Sequence, residues 1–266
     1  MPIPMEAVIG IIEETAAAEV MPRFRALAEA DIRKKRGGEV VTVADEAAER
    51  VLARRLAPLV PGSLVLGEEA TAADPARMDA LAGADPVWII DPIDGTSNFA
   101  RGVDVFVIMV GLVRDGETLA GWIHDPIAGR TATAEAGAGA WLGARRLAVA
   151  QAASAADMRG TLHAGTFAPP EMVRQVQARR ERVGAIKSLR CAGREYLRLA
   201  TAETHFALFT KLMPWDHVPG SLIQREAGGV AQTLDGAPYG ARSYRASGLL
   251  LAPDPSAWQA IYDALF

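Results

Sequence analysis

Two aspartates three residues apart close an apolar run in Val87-Trp88-Ile89-Ile90-Asp91-Pro92-Ile93-Asp94-Gly95-Thr96-Ser97. The run is β-branched and aromatic and lies between Pro86 and Pro92, which predicts a short core strand ending there. Asp91 and Asp94 then flank a tight turn, and Gly95, Thr96 and Ser97 offer backbone amides where a helix can begin. Two hard anionic oxygen donors beside an anion-binding helix start suit a divalent cation carrying a phosphate. Taken singly, each feature has a plainer explanation: Asp-Gly after a strand makes a turn, and Thr or Ser before a helix caps it.

Other carboxylates stand at comparable places. Glu68 and Glu69 end the short strand Leu64-Val65-Leu66, so one of them can project into the same cleft as Asp91 while the other stands behind it or at the surface. Asp216 opens a helical stretch, either as an N-cap or as a ligand. Gathering Glu68, Asp91, Asp94 and Asp216 would make them repel one another and raise their pKa values, a conflict that a bound cation removes. Oxygen ligands without clustered His or Cys favour magnesium or manganese over zinc. His124, His163 and His205 are dispersed, His217 reads as structural, and neither a Ser/His/Asp triad nor a nucleotide-binding glycine loop is recognisable.

These groups need a scaffold. A helix is expected over Met5 to Ala30, kinked at Pro22, followed by the basic loop Arg33-Lys34-Lys35-Arg36-Gly37-Gly38. Thr42 and Asp45 form a capping box for a helix running to Pro61. From Asp104 to about Val149 the pattern is hairpins: Val105 to Val113, Thr118 to Ile123 and Arg130 to Glu135. Beyond Ala150 short strands and helices alternate: a helix from Pro170 through Arg182, a strand at Ile186 to Arg190, a helix at Gly193 to Thr201 and a strand at His205 to Phe209. A helix from Trp215 to Ala227, a strand at Leu249 to Leu251 and a terminal helix after Asp254-Pro255 complete the pattern.

The chain has 266 residues, half of them hydrophobic, with a formal net charge of -4. That is enough to bury a large core, in one large domain or two modest ones, and supplies no general attraction for nucleic acid or acidic membranes. A single cysteine, Cys191, excludes an intramolecular disulfide, fits a reducing compartment and reads as a small buried residue. Acidic residues spread through the N-terminal stretch leave neither a signal peptide nor a membrane span, so a cytoplasmic protein is expected.

Asp91-Pro92-Ile93-Asp94-Gly95-Thr96 resembles the first signature of the inositol monophosphatase family of magnesium-dependent, lithium-sensitive phosphatases. Trp215-Asp216-His217-Val218-Pro219-Gly220, running into Glu226-Ala227-Gly228-Gly229, resembles its second. Val41-Thr42-Val43-Ala44-Asp45 and Gly67-Glu68-Glu69 stand in the right order between and before them, so the likeness covers nearly the whole chain. It implies an α/β, layered αβαβα sugar-phosphatase fold. An α+β part with an antiparallel sheet (residues 1–146) would carry most ligands, and a smaller α/β part (147–266) would carry Asp216 and the specificity segment.

The resemblance further implies two or three magnesium ions per subunit, with manganese as a substitute. Glu68, Asp91 and the Ile93 carbonyl would hold one ion, and Asp91, Asp94 and Asp216 another. The phosphate would bridge them, bound also at Asp94 and the amides of Gly95 and Thr96. Thr96, oriented by Asp45, would act with Glu68 on the attacking water, and the lysine-containing basic loop would cover the site. The leaving group would meet Gly193, Arg194, Glu195 and Asp216, together with a position, Phe209 here, that is often acidic in inositol-specific members. Arg194 and Lys211 would meet a further anionic substrate group or remain surface charges. The expected substrate is a small phosphomonoester, first inositol 1-phosphate, alternatively histidinol phosphate or a sugar or nucleotide bisphosphate. A homodimer is implied, without direct nucleic-acid binding, while some bacterial relatives instead associate with the transcription machinery.

Overall fold

A computed structural model of the protein describes residues 3–35, 38–165 and 168–266. The strands are β1 (Ile32–Lys34), β2 (Val40–Thr42), β3 (Leu64–Gly67), β4 (Val87–Asp94), β5 (Val107–Arg114), β6 (Glu117–Asp125), β7 (Arg130–Glu135), β8 (Gly139–Leu142), β9 (Arg145–Arg146), β10 (Arg159–His163), β11 (Gly184–Ile186), β12 (Phe206–Phe209), β13 (Val230–Thr233) and β14 (Leu249–Ala252). The α-helices are α1 (Met5–Thr15), α2 (Val43–Leu56), α3 (Glu68–Ala73), α4 (Thr96–Phe99), α5 (Pro170–Arg179), α6 (Ala192–Ala200), α7 (Pro214–Glu226) and α8 (Pro255–Leu265).

Strands β3 to β9 form one sheet in sequence order, antiparallel except for the β3–β4 pair, and a second sheet has the order β11-β10-β12-β14-β13. Because successive side chains in a strand face opposite ways, β4 feeds two cores. Trp88 and Ile90 pack with α1 and α2, whereas Val87 and Ile89 pack with residues of α6 and α7. In β12, Ala207 and Phe209 join that central core, while Phe206 and Leu208 face Trp258 and Ile261 of α8. The order is therefore helices, sheet, helices, sheet, helices: the layered α/β fold.

Helix α7 lies almost on the backbone of the large sheet. A Cβ on Gly121 would stand 2.8 Å from the Pro219 carbonyl oxygen, so only glycine lets helix and strand approach this closely. Among the described residues no helix is long and apolar enough to cross a membrane.

Three expectations about elements are corrected. The first helix ends at Thr15 and continues as a π-turn (Ala16–Val20) and a 3-10 turn (Met21–Arg23), with Phe24 already extended. Pro22 lacks an N–H and disfavours the α-helical path for the turn before it. Strand β4 does not stop at Pro92. From Asp91 to Asp94 it advances three residues while β5 goes only from Met109 to Val107, so one extra residue forms a bulge where a missing proline N–H is tolerated. Finally, β11 occupies Gly184–Ile186 rather than running on to Arg190. Of the basic loop, Arg36 and Gly37 lie outside the described residues.

Candidate active site

The bulge sets the geometry. Ile93 N–H donates to Asp91 Oδ1 at 3.0 Å, folding the chain back toward that carboxylate. Gly95 then takes the left-handed conformation (φ 92°), and a Cβ there would be 2.9 Å from the Val105 carbonyl oxygen. Asp91, Asp94 and Asp216 end with carboxylate oxygens within 4.8 Å of one another. Glu68, at the start of α3, lines the same cleft together with Ile93, Gly95 and Thr96. Asp216 is not an N-cap: Met213 holds that position, and Asp216 stands inside the first turn of α7.

The electrostatics are those of a carboxylate cluster out of water. Burial first, and then the charges of Glu68, Asp94 and Asp216, drive Asp91 well above the usual carboxylate range. Burial, then Asp94 and Glu68, pushes Asp216 up to about 8. Asp94 is raised by burial too, against the bonds that its Oδ2 accepts from Gly193 N–H at 2.6 Å and the Cys191 thiol at 3.1 Å. Burial lifts Asp45 to about 7. Its Oδ2 accepts from Thr42 N–H and Oγ1, completing the capping box of α2, while its Oδ1 accepts from Thr96 Oγ1 at 3.0 Å. Thr96 Oγ1 is also 2.9 Å from the Ile93 carbonyl oxygen.

Two groups near Glu68 were not legible as partners. Lys35 donates to Glu68 at 2.6 Å and Glu69 at 2.7 Å, so Glu69 is a half-buried partner of the basic loop, raised to about 8 by desolvation and by the charge of Glu68. Glu49 accepts from the N–H groups of Glu69 and Ala70, fixing the start of α3 from the side of α2. Its sequence signal was Gly67, where a Cβ would overlap the Glu49 carboxylate at 2.3 Å.

The cleft has two lobes, each of about 480 Å³, that share Asp94, Arg190, Lys211 and Asp216. One is the carboxylate lobe. The other is walled by Leu162, His163, Phe209 and His217, with His163 stacked on Phe209 at 4.5 Å. His217 is held neutral by burial, its pKa lowered to about 3. It donates from Nε2 to the Lys211 carbonyl, so Nδ1 accepts from Tyr196.

The segment expected to meet a leaving group is only partly brought here. Gly193 touches Asp94 through its amide, but Arg194 turns to pair with Asp125 in a separate cavity. Glu195 is buried beneath the loop, where it accepts from Leu189 N–H. Because α6 begins at Ala192, its next residues rotate away from the cleft, and Arg190, Cys191 and Ala192 line it instead. Lys211 reaches the cleft and pairs with Glu39.

The model of the inositol monophosphatase family matches residues 5–265, and the chain belongs to that family as a phosphatase, a hydrolase of small-molecule phosphates. It is 28% identical, over 77% of this chain and 76% of the other, to the Thermotoga maritima protein named fructose-1,6-bisphosphatase/inositol-1-monophosphatase. It is 34% identical to the Nus factor SuhB of Xylella fastidiosa, over 73% and 68% of the two chains. The solved Thermotoga maritima IMPase superposes with a TM-score of 0.79 at 23% identity, covering 98% of this chain and 97% of that one, a likeness of fold. The family is metal-dependent, and the donor set here fits that dependence: three acidic side chains bring carboxylate oxygens within 4.8 Å of one another, and all are raised in pKa by burial.

Proposed function

We propose that this protein is a magnesium-dependent phosphomonoesterase for a small phosphorylated metabolite. The observation that carries the reading is the convergence of Glu68, Asp91, Asp94 and Asp216, drawn from three separate segments, on one cleft beside the Gly95-Thr96 helix start. Glu68, Asp91 and the Ile93 carbonyl would hold one ion, and Asp91, Asp94 and Asp216 a second. When bound, magnesium ions supply Lewis acidity to the phosphoryl oxygens and a water made acidic enough to attack at neutral pH.

The chain's own groups would do the rest. Asp45 accepts from the Thr96 hydroxyl and so fixes it as a donor in one direction, which leaves its lone pairs to accept from the attacking water. Glu68 would accept from the same water, its carboxylate released from Lys35. The amides at Gly95 and Thr96 would receive phosphate oxygens, and Asp216 would orient the leaving alcohol.

Inositol 1-phosphate is the first candidate substrate, and a sugar bisphosphate is the second, favoured by the Phe209 wall in place of an acid and by the name of the Thermotoga relative. The reading includes a cytoplasmic homodimer, by likeness to the family. An association with transcription machinery follows only the name of the Xylella relative.

Phosphate release from a panel of monophosphates and bisphosphates, with and without magnesium, tests the reading. Turnover should require the ion, fall by roughly a thousandfold or more in Asp91→Asn, and be lost together with the rise in melting temperature on adding magnesium. Full activity in chelator, or an unaltered Asp91→Asn variant, would overturn it.

A further inference from the structure

Glu49 stands on α2 one turn beyond Asp45, and both carboxylates are buried. Side chains four residues apart on a helix share a face and lie about 6 Å apart along its axis. Asp45 uses that face to accept from the Thr96 hydroxyl. Glu49 uses it to grip the turn that carries Glu68: its Oε2 accepts from Glu69 N–H at 2.7 Å and its Oε1 from Ala70 N–H at 2.8 Å. One face of one helix therefore holds both segments that present the groups assigned to the attacking water.

The turn at Glu68 is shaped for this outside partner. The first amides of a helix need acceptors, which a Ser, Thr, Asp or Asn at the N-cap commonly supplies. The N-cap of α3 is Gly67, whose extended backbone (φ -96°, ψ 153°) is open to any residue and does not call for glycine. Space does: a Cβ there would lie 2.3 Å from Glu49 Cδ and 2.5 and 2.6 Å from its two carboxylate oxygens. The turn thus forgoes a cap of its own and admits the Glu49 carboxylate against its backbone. The two bonds fasten the main chain beside Glu68, while the Glu68 side chain, held by Lys35, stays able to exchange that partner for an ion.

We propose that Glu49 is a positioning residue for the reaction: through the turn from Gly67 to Ala70 it sets where the Glu68 carboxylate meets the ion and the attacking water, at a separation from Thr96 that α2 dictates. The inference rests on the phosphomonoesterase reading, in which Glu68 and Thr96 share that water. Glu49 acts on Glu68 through the neighbouring amides, so its effect should vanish when Glu68 has no carboxylate to place.

The test is a calorimetric magnesium titration of the wild type, Glu49→Ala, Glu49→Gln, Glu68→Ala and the Glu49→Ala/Glu68→Ala pair, beside kcat on the best substrate of the panel. Glu49→Ala should weaken magnesium binding by about ten- to a hundredfold and lower kcat by a similar factor, with KM little changed. Glu49→Gln keeps one acceptor and should recover part of the loss. The deciding comparison is the pair: in the Glu68→Ala background, Glu49→Ala should leave magnesium affinity where it was, although resistance to denaturant still falls. A further loss of affinity as large as in the wild type would overturn the proposal, and so would wild-type affinity in a Glu49→Ala protein that has only lost stability.

Gly67→Ala reaches the same contact from the other side without removing a charge, and it carries the test if Glu49→Ala does not fold. Its methyl would displace the Glu49 carboxylate, so alone it should weaken magnesium binding as Glu49→Ala does, and Glu49→Gln should add little to it. Losses that simply add would overturn the proposal. Because the titration needs no turnover, the expected pattern in a protein that hydrolyses no phosphomonoester would support the placement of Glu68 by Glu49 and count against the phosphomonoesterase reading alone. Magnesium-dependent turnover that is unaltered in Glu49→Ala would overturn the proposal and leave that reading standing.

Discussion

Burial keeps protons on Asp45, Glu69 and Asp216 into the neutral range, at about 7, 8 and 8, while their unfolded counterparts lose them near 4. A pKa raised by folding contributes stability that is complete below the unfolded value and is lost as pH rises through the folded one. His124 and His217 work from the other side: burial lowers them, so they weaken the fold as pH falls below about 6.5, where the unfolded chain takes up protons. Above about pH 7 both histidines are neutral in either state, and the slope there belongs to the carboxylates. Metal-free protein should therefore show a melting temperature that declines between about pH 7 and 9, with magnesium restoring more at about pH 8.5 than at pH 6.5. A magnesium-induced rise that is the same at both pH values would contradict this account of the cluster.

Helix α6 couples the site to the central core, because Gly193 lets its first turn lie flat against β5. A Cβ on Gly193 would stand 2.4 Å from Val107 Cγ2, 2.9 Å from Met109 Sδ and 3.2 Å from Asp94 Oδ2. Gly193→Ala should cost about 1–3 kcal/mol and weaken magnesium binding by moving Asp94, measured by denaturant unfolding and ion titration. Gly10→Ala, in α1 with nothing within 4 Å of the new methyl, should instead gain about 0.5–1 kcal/mol.

Elements show why the carboxylate positions were legible and the leaving-group segment was not. Asp91 and Glu68 close apolar runs, a pattern written in residue type. The turn that presents Arg190 depends on a left-handed residue, which glycine normally betrays and arginine conceals. Strand β10 was hidden for a related reason: Arg159-Gly160-Thr161 has little apolar pattern, yet Gly160 is required where a Cβ would fall 2.1 Å from the Phe206 carbonyl oxygen.

On the scale of the molecule, the expected division between residues 146 and 147 falls in the loop between β9 and β10, but the central core crosses it. Leu66, Ile89 and Met109 from one side share a single cluster with Tyr196, Phe209, Trp215 and Leu251 from the other. The two sheets should consequently unfold in one transition, with tryptophan fluorescence and backbone circular dichroism coincident. Two resolved transitions would mean that the sheets are energetically separate.

The one thiol of the chain sits at this seam. Cys191 is buried, donates to Asp94, and is raised in pKa by burial and by that neighbour's charge, so in the native state it is neither accessible nor a thiolate. The protein thereby carries its own stopwatch: a thiol reagent can label it only as fast as the cleft wall opens around it, and the labelling half-life reads the lifetime of the closed wall without any added probe.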